Sequence, residues 1–352
     1  MFKNFVKVMF RNMFKHMGYS LINIAGLAAG LACCLLISIW VLDELSFDRF
    51  HDNASTLYRV EEDQHYTGRL FHVTVTPYPL GPALVDEIPE IIDAARYVWA
   101  GGQLLRYGEN AFFENNIRAV DPSFLKMFSF PLKSGSVENV LNDPHSLVIT
   151  EEIAEKYFGR EEALGKVINV NNTQSFTVTG ILADIPDNSS LQFDILIPYT
   201  FLEKSGRTST HFGANSIQTF VQLDEAASRK AADEKIFGFI RTRLPDSKTD
   251  LMLKDFTRMH LHSYWGYNKS AGAVQYVTMF SVIAFFVLLI ACINFMNLAT
   301  ARSAGRAKEV GLRKVVGALR SHLVRQFYGE SMMFAFIALG LALIVVLSLI
   351  HI

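Results

Sequence analysis

The sequence predicts a membrane protein whose α-helical transmembrane segments carry a large α+β extracytoplasmic domain, inserted between helices 1 and 2. Three observations lead there. Half of the 352 residues are hydrophobic and only 19% are charged, with a mean hydropathy of +0.22, where a typical soluble domain carries about 25% charged residues. The apolar residues gather in three runs long enough to cross a bilayer, which takes about 20 residues at 1.5 Å rise each. The net charge of −1 hides a split: residues 43–275 hold 22 Lys/Arg against 32 Asp/Glu, and residues 302–330 hold seven against two. This composition excludes a largely disordered chain. Two basic ends around an acidic middle read as membrane topology and not as a nucleic-acid footprint.

Residues 1–18 come first. Lys3, Lys7, Arg11 and Lys15 recur every four residues, with Phe2, Val6, Met9 and Met13 on another face. That pattern predicts an amphipathic basic helix lying on the inner leaflet lipid. Helix 1 is expected over 19–42. Its apolar run continues well past Gly30, through Cys33, Cys34, Ile37 and Trp40, so it exceeds the core of a cleaved signal peptide. Gly26 and Gly30 form a small-xxx-small pair suited to close helix packing. Helix 2 is expected over 276–301, inside a stretch without Asp, Glu, Lys or Arg. Asn294 and Asn297 are three apart, so they share a face, and helix-to-helix hydrogen bonding is their expected role, at roughly 0.6 kcal/mol per bond. A cytoplasmic loop over 302–330 and helix 3 over 331–352 complete the order. Positive loops stay in the cytoplasm. The N-terminus is therefore expected inside, residues 43–275 outside and residues 302–330 inside.

The outer segment contains no cysteine, since Cys33, Cys34 and Cys292 all lie in the apolar runs. It must fold on an ordinary core, without disulfides. Strand signals fall at Phe71–Thr76, Phe112–Val120, Ser146–Ile149, Val167–Val170, Ser175–Leu182, Phe193–Pro198 and Ser216–Leu223. Helix signals fall at Leu80–Ile88, Pro122–Phe128, Glu151–Phe158 and Ala226–Thr242. Thr150 is placed to cap the third of these, Glu151 and Glu152 suit its positive end, and Gly159 suits its stop. Glu61, Glu62 and Asp63 read as a solvated face. No catalytic, cofactor-binding or metal constellation is recognisable. Gly159 to Gly165-Lys166-Val167 imitates a phosphate loop, but has one residue too many between its glycines and Val where magnesium needs Ser or Thr. His260 and His262, beside Tyr264 and Trp265, would share one face of a strand, and an interfacial belt explains them better than a metal pair.

In the basic loop, Val310, Leu312, Val315, Val316, Leu319 and Leu323 suggest an apolar helical face. Glu309, Arg313, Lys314 and Arg320 suggest a charged one. Gly311 and Gly317 each cost a helix about 1 kcal/mol relative to Ala, which suggests a tight bend or a close backbone contact. A short helix of mixed charge has the shape to dock in a groove of a soluble partner.

Arg306-Ala-Lys-Glu-Val-Gly-Leu-Arg-Lys-Val-Val-Gly-Ala318, with Gln326-Phe327 and Glu330-Ser331, resembles the cytoplasmic stretch of MacB/FtsX-type ABC-transporter permeases. Ala291-Cys-Ile-Asn-Phe-Met-Asn-Leu-Ala-Thr-Ala-Arg302 resembles the end of their second membrane helix. Ser46-Phe-Asp-Arg-Phe-His-Asp-Asn53 with Leu57-Tyr-Arg-Val60, and Val178-Thr-Gly-Ile-Leu-Ala-Asp-Ile-Pro-Asp-Asn-Ser189, resemble the MacB-like periplasmic core domain. The resemblance implies a non-catalytic permease subunit of the cell inner membrane. It would pair as a homodimer or with a related permease, bind a separate cytoplasmic ABC ATPase that holds the ATP, and engage a periplasmic adaptor. Its mode would be efflux or mechanotransmission. By position, Arg306, Glu309, Gly311, Arg313, Lys314 and Gly317 would form the ATPase-coupling element. The family's usual fourth helix is missing, so the chain is expected to be a fragment. The competing class is a transmembrane receptor with an outer sensing domain. It is disfavoured because the chain re-enters the membrane within about thirty residues, too few for a signalling domain. Cargo is not legible.

Overall fold

A computed structural model describes residues 11, 13–14, 17–66, 68–267, 272–305, 307–316 and 320–350. The chain splits into two compact units, Met1–Glu44 with Gln275–Ile352, and Leu45–Val274. The first long element is helix α1 (Met17–Ser46).

The outer unit opens with β1 (Leu57–Tyr66), β2 (Arg69–Val73), β3 (Thr76–Pro77), α2 (Leu80–Glu87), β4 (Ile91–Trp99), β5 (Gln103–Tyr107), β6 (Asn110–Glu114) and β7 (Ile117–Val120). It continues with α3 (Phe124–Met127), β8 (Leu132–Ser134), β9 (Ser146–Thr150), α4 (Glu151–Phe158), β10 (Val167–Val170), β11 (Gln174–Leu182), β12 (Ile195–Pro198) and α5 (Tyr199–Lys204). It ends with β13 (Asn215–Leu223), α6 (Arg229–Ile236), α7 (Phe239–Arg243), β14 (Thr249–Asp255) and the one-turn α8 (Met259–His262). The strands form one mixed sheet in the order β14-β1-β13-β4-β7-β12-β9-β11-β10-β5-β6, with β2, β3 and β8 beside β1, β13 and β11. Only the β9–β11 and β7–β12 pairings are parallel among the described residues. This is the α+β domain the alternating signals predict.

Local chemistry explains the details. The Thr150 hydroxyl accepts from the Ile153 amide at 3.5 Å and starts α4, and Gly159 stops it at φ +60°. The expected strand Phe112–Val120 is two strands, β6 and β7. Between them Asn115 turns its carbonyl to the Trp99 indole, and the Asn116 carbonyl accepts from the Asp194 amide. The expected helix Ala226–Thr242 breaks into α6 and α7 around Gly238, a residue of low helix propensity. Phe71–Thr76 likewise divides into β2 and β3.

Three apolar clusters fill the domain. One is rich in phenylalanine: Phe124, Phe128, Phe130, Phe193, Phe220 and Phe256. A second packs Ile153 and Tyr157 of α4 on Leu147, Ile149, Ile168 and Phe176. A third packs Leu80 and Leu84 of α2, and Ile236 and Ile240, on Val60, Leu251 and Leu253. The three cysteines are free.

The membrane unit adds α9 (Val274–Gly305), α10 (Ala307–Val315) and α11 (Arg320–Ile350) to α1. Met17–Ser46, Val274–Ala301 and Leu323–Ile350 are long and apolar enough to cross a membrane. They meet through small side chains. Ala28, Ala291 and Ala338 are buried together with Leu27, and Ala32 and Ala342 with Val346. Residues 302–330 are largely helical, because α9 runs on to Gly305 and α11 already begins at Arg320. Glu330, read as part of that loop, lies buried within α11.

Candidate functional site

Among the membrane helices, a Cβ at Gly30 would collide with the Ala291 side chain, and one at Gly26 would sit 3.3 Å from Asn294 Nδ2. The glycine pair therefore lets α1 approach α9 closely, as small-xxx-small spacing does. Asn294 reaches this seam. Asn294 and Asn297, expected to share a role, are both exposed, and it is Asn294 that lies beside Gly26.

The outer domain has an entry segment, residues 45–53, and an exit segment, residues 256–267. On entry, Asp48 is fully buried and adopts φ +61°, a left-handed conformation that Asp tolerates better than most residues. Its carboxylate accepts from the Ser190 amide at 2.7 Å and the Ser190 hydroxyl at 2.5 Å. Its own amide donates to the Asn188 carbonyl at 2.9 Å, and Asn188 Nδ2 donates to Ser46 Oγ at 3.0 Å. Burial raises the Asp48 pKa despite the Ser190 bonds. His51 Nδ1 accepts from the Ser129 amide at 3.0 Å, while Phe50, Phe128, Phe130 and Phe256 surround its ring. Burial lowers its pKa to about 4, so the ring is neutral. Two sequence stretches about 140 residues apart, both of which carry the family resemblance, are thus one interlocked structure.

On exit, the His260 ring stacks on Phe47 at 3.5 Å. His260 and His262 lie on helix α8 and not on a strand. Downstream, β1 and β2 hold the chain through buried charges. Arg59 donates to Glu61 and, at 2.6 Å, to Ser263 Oγ. His72 sits between Asp63 Oδ1 at 2.7 Å and Glu61 Oε2 at 3.0 Å. Its ring stacks on Tyr264 at 4.1 Å, and its backbone exchanges two hydrogen bonds with Gly266. Burial opposes charge on His72, but the bonds to Glu61 and Asp63 outweigh it and raise its pKa. Each ring nitrogen thus faces a carboxylate oxygen. Burial would raise the Glu61 pKa, yet His72 and Arg59 hold it down. Glu62, on the opposite face of β1, accepts from Gln64 at 2.9 Å and Asn215 at 2.5 Å, and burial raises its pKa to about 7.

The solvated-face reading of Glu61 and Glu62 is therefore corrected: they are 2% and 0% exposed. β1 is covered because β13, β14 and β2 all pair with it. A signal was available in the sequence. Arg59, Glu61 and Asp63 alternate, so one strand face carries opposite charges two residues apart.

In the basic stretch, Glu309, Gly311, Arg313 and Lys314 fall on α10, whereas Arg306 and Gly317 lie outside the described residues. Of the two readings of Gly311, a tight bend or a close backbone contact, the bend is not formed, since the helix runs through it. Nothing described lies within 4 Å of a Cβ placed there. Leu312, Val315 and Val316 are 69%, 88% and 84% exposed. Leu323, expected on the same face, is instead buried on α11.

These features meet known proteins. The MacB-like periplasmic core domain profile matches residues 20–236, and the FtsX-like permease C-terminal profile matches residues 281–352. The macrolide export ATP-binding/permease protein MacB of Mannheimia succiniciproducens is 23% identical over 238 residues, covering 66% of this chain and 35% of that protein. MacB of a Shewanella species is 25% identical over 254 residues, covering 71% and 36%. The chain thus spans about a third of the length of these curated relatives. A crystallised domain of a provisionally named permease protein from Porphyromonas gingivalis superposes with a TM-score of 0.52 at 20% identity, covering 66% of this chain and all of that one. That likeness shows the fold. Helices and domain together define a membrane protein with an extracytoplasmic segment after its first span. The chain belongs to the MacB/FtsX-type permeases of ABC transporters, on a core-domain match that covers more than half of it.

Proposed function

We propose that this chain is the permease subunit that couples ATP hydrolysis by a separate cytoplasmic ATPase to movement of the outer domain, for efflux or mechanotransmission. The observation that carries the reading is α10. It is a short helix between two membrane spans, its Leu312 and Val315 are exposed, as is Val316 just beyond it, and no described residue lies beside its Gly311. A helical glycine beside which no described residue lies suits close approach by a partner's backbone. On this reading Arg306, Glu309, Arg313, Lys314 and Gly317 accompany Gly311 at that contact, and the partner holds the ATP. The interlocked entry and exit segments suit the transmission of helix motion, because buried hydrogen bonds and ion pairs resist stretching. The N-terminus and α10 then face the cytoplasm of the inner membrane, in a homodimer or a pairing with a related permease. A periplasmic adaptor is a further partner on the same reading. The family match does not favour the receptor alternative.

The test is affinity purification from membranes in mild detergent, followed by mass spectrometry. A stoichiometric ABC ATPase is expected, and Glu309→Lys should remove it while leaving membrane insertion intact. Recovery of no ATPase, or an ATPase indifferent to Glu309→Lys, would overturn the coupling role of α10.

A further inference from the structure

We infer that the β2 strand and the exit segment at Trp265–Tyr267 form a lipid-contacting foot of the outer domain, seated among headgroups on the outer membrane face. The inference rests on the reading of residues 43–275 as extracytoplasmic. Of the aromatic run at the domain exit, His260 and Tyr264 are used internally, stacked on Phe47 and His72. Trp265 and Tyr267 are not: they are 67% and 50% exposed. Phe71 binds both edge-on, at 5.0 Å to Trp265 and 4.7 Å to Tyr267. Leu70 beside it is 39% exposed, and the Arg69 guanidinium lies 4.6 Å from the Tyr267 ring centre.

Three arguments select lipid as the occupant. Tyr267 precedes the start of α9 at Val274 by seven residues, which at full extension reach no more than about 25 Å. The chain itself tethers this patch near a membrane surface. The composition is that of an interfacial belt: Trp and Tyr rings with an apolar body and a polar edge, plus an Arg able to pair with a lipid phosphate. The patch is also small. A specific protein interface takes about 20–30 residues a side, whereas here a few side chains project from one hairpin and one strand of chain. The patch is preorganised as well, because the paired His72 and Gly266 backbones fix the exit segment against β2. The other exposed aromatics of the domain among the described residues, Trp99, Phe112, Phe113 and Phe237, lie more than thirty residues from either membrane helix in sequence.

The test uses the full chain in vesicles of phosphatidylcholine and phosphatidylglycerol. The protein has three tryptophans, so Trp40→Phe with Trp99→Phe leaves Trp265 alone as the fluorophore. Lipids brominated near the headgroup are expected to quench Trp265 at least two-fold more than lipids brominated near the acyl terminus. Arg69→Glu should reduce that quenching in phosphatidylglycerol-rich vesicles. A variant retaining Trp40 alone, near the outer end of the expected span 19–42, is the control for the membrane reading and should be quenched by lipids brominated near the headgroup. Quenched Trp40 with unquenched Trp265 overturns the foot and leaves the membrane reading intact. Unquenched Trp40 overturns both. A Trp265 shielded from aqueous iodide but untouched by bromolipid is covered by protein, which also overturns the lipid assignment.

Discussion

The two units of this chain use the same apolar residue types in opposite ways. In the outer domain, large rings turn inward, and Phe124, Phe128, Phe193, Phe220 and Phe256 are almost wholly buried. In the membrane helices, Phe285, Phe286, Ile290, Ile293, Phe336 and Ile344 are exposed, and alanines fill the seam. The difference comes from the solvent. Water drives large apolar side chains together, at about 25 cal/mol per Å² buried. Hydrocarbon offers no such drive, so spans associate by close backbone packing, which small residues allow. The outer domain buries Arg59, Glu61, His72 and Glu62 inside hydrogen-bonded networks.

That comparison can be broken or sharpened by substitution in the full chain. The largest effect is expected from Phe128→Ala, which empties the centre of the aromatic cluster and should cost about 3–5 kcal/mol; thermal unfolding of the outer domain reads it. Next comes Glu62→Gln. The Glu62 pKa is raised from 4.5 to about 7, so the folded state binds the extra proton and stability falls as pH rises across that window. The difference amounts to something on the order of 3 kcal/mol. Glu62→Gln should remove this fall, which makes the variant progressively more stable than the parent between about pH 4.5 and pH 7. His51, with its pKa lowered to about 4, acts oppositely: its contribution is lost as pH falls from about 6.5 through about 4. Unfolding curves of parent and variant are therefore compared at each pH.

Gly30→Leu follows. It forces α1 away from Ala291 and should cost about 1–3 kcal/mol of helix association, seen as loss of cysteine cross-linking between introduced pairs on α1 and α9. The smallest effect is expected from Phe285→Ala. It is the same substitution as at Phe128, made on a 60% exposed membrane position, and should change stability by no more than about 0.5 kcal/mol. A large loss there would mean that this face is covered by another protein surface, and the contrast between the units would fail.

Legibility followed the range of the interactions. Val167–Val170 and Glu151–Phe158 were readable to the residue, because strand alternation, a Thr cap and a Gly stop are local. The strands β1, β4, β5 and β14 were not. β1 carries Glu61, Glu62 and Asp63 in a row, and only its partners β13, β14 and β2 turn that acidic run into an interior. At the candidate site, the glycine pair Gly26 and Gly30 was legible from its spacing, and the structure adds Ala291 and Asn294 opposite. The interlock of Asp48 with Ser190 joins residues 142 positions apart, beyond any periodicity.

The sequence by itself determined the three long apolar helices and the inserted α+β domain, since hydropathy, charge asymmetry and capping are properties of consecutive residues, while the kind of permease came from the resemblance of its motifs to a family. Only the tertiary structure decided which carboxylates are buried, which histidine is set between two of them, and that the exit segment is gripped by β2. Those outcomes depend on what distant strands place around each group, and the free energy of a charge is set by its surroundings more than by its identity.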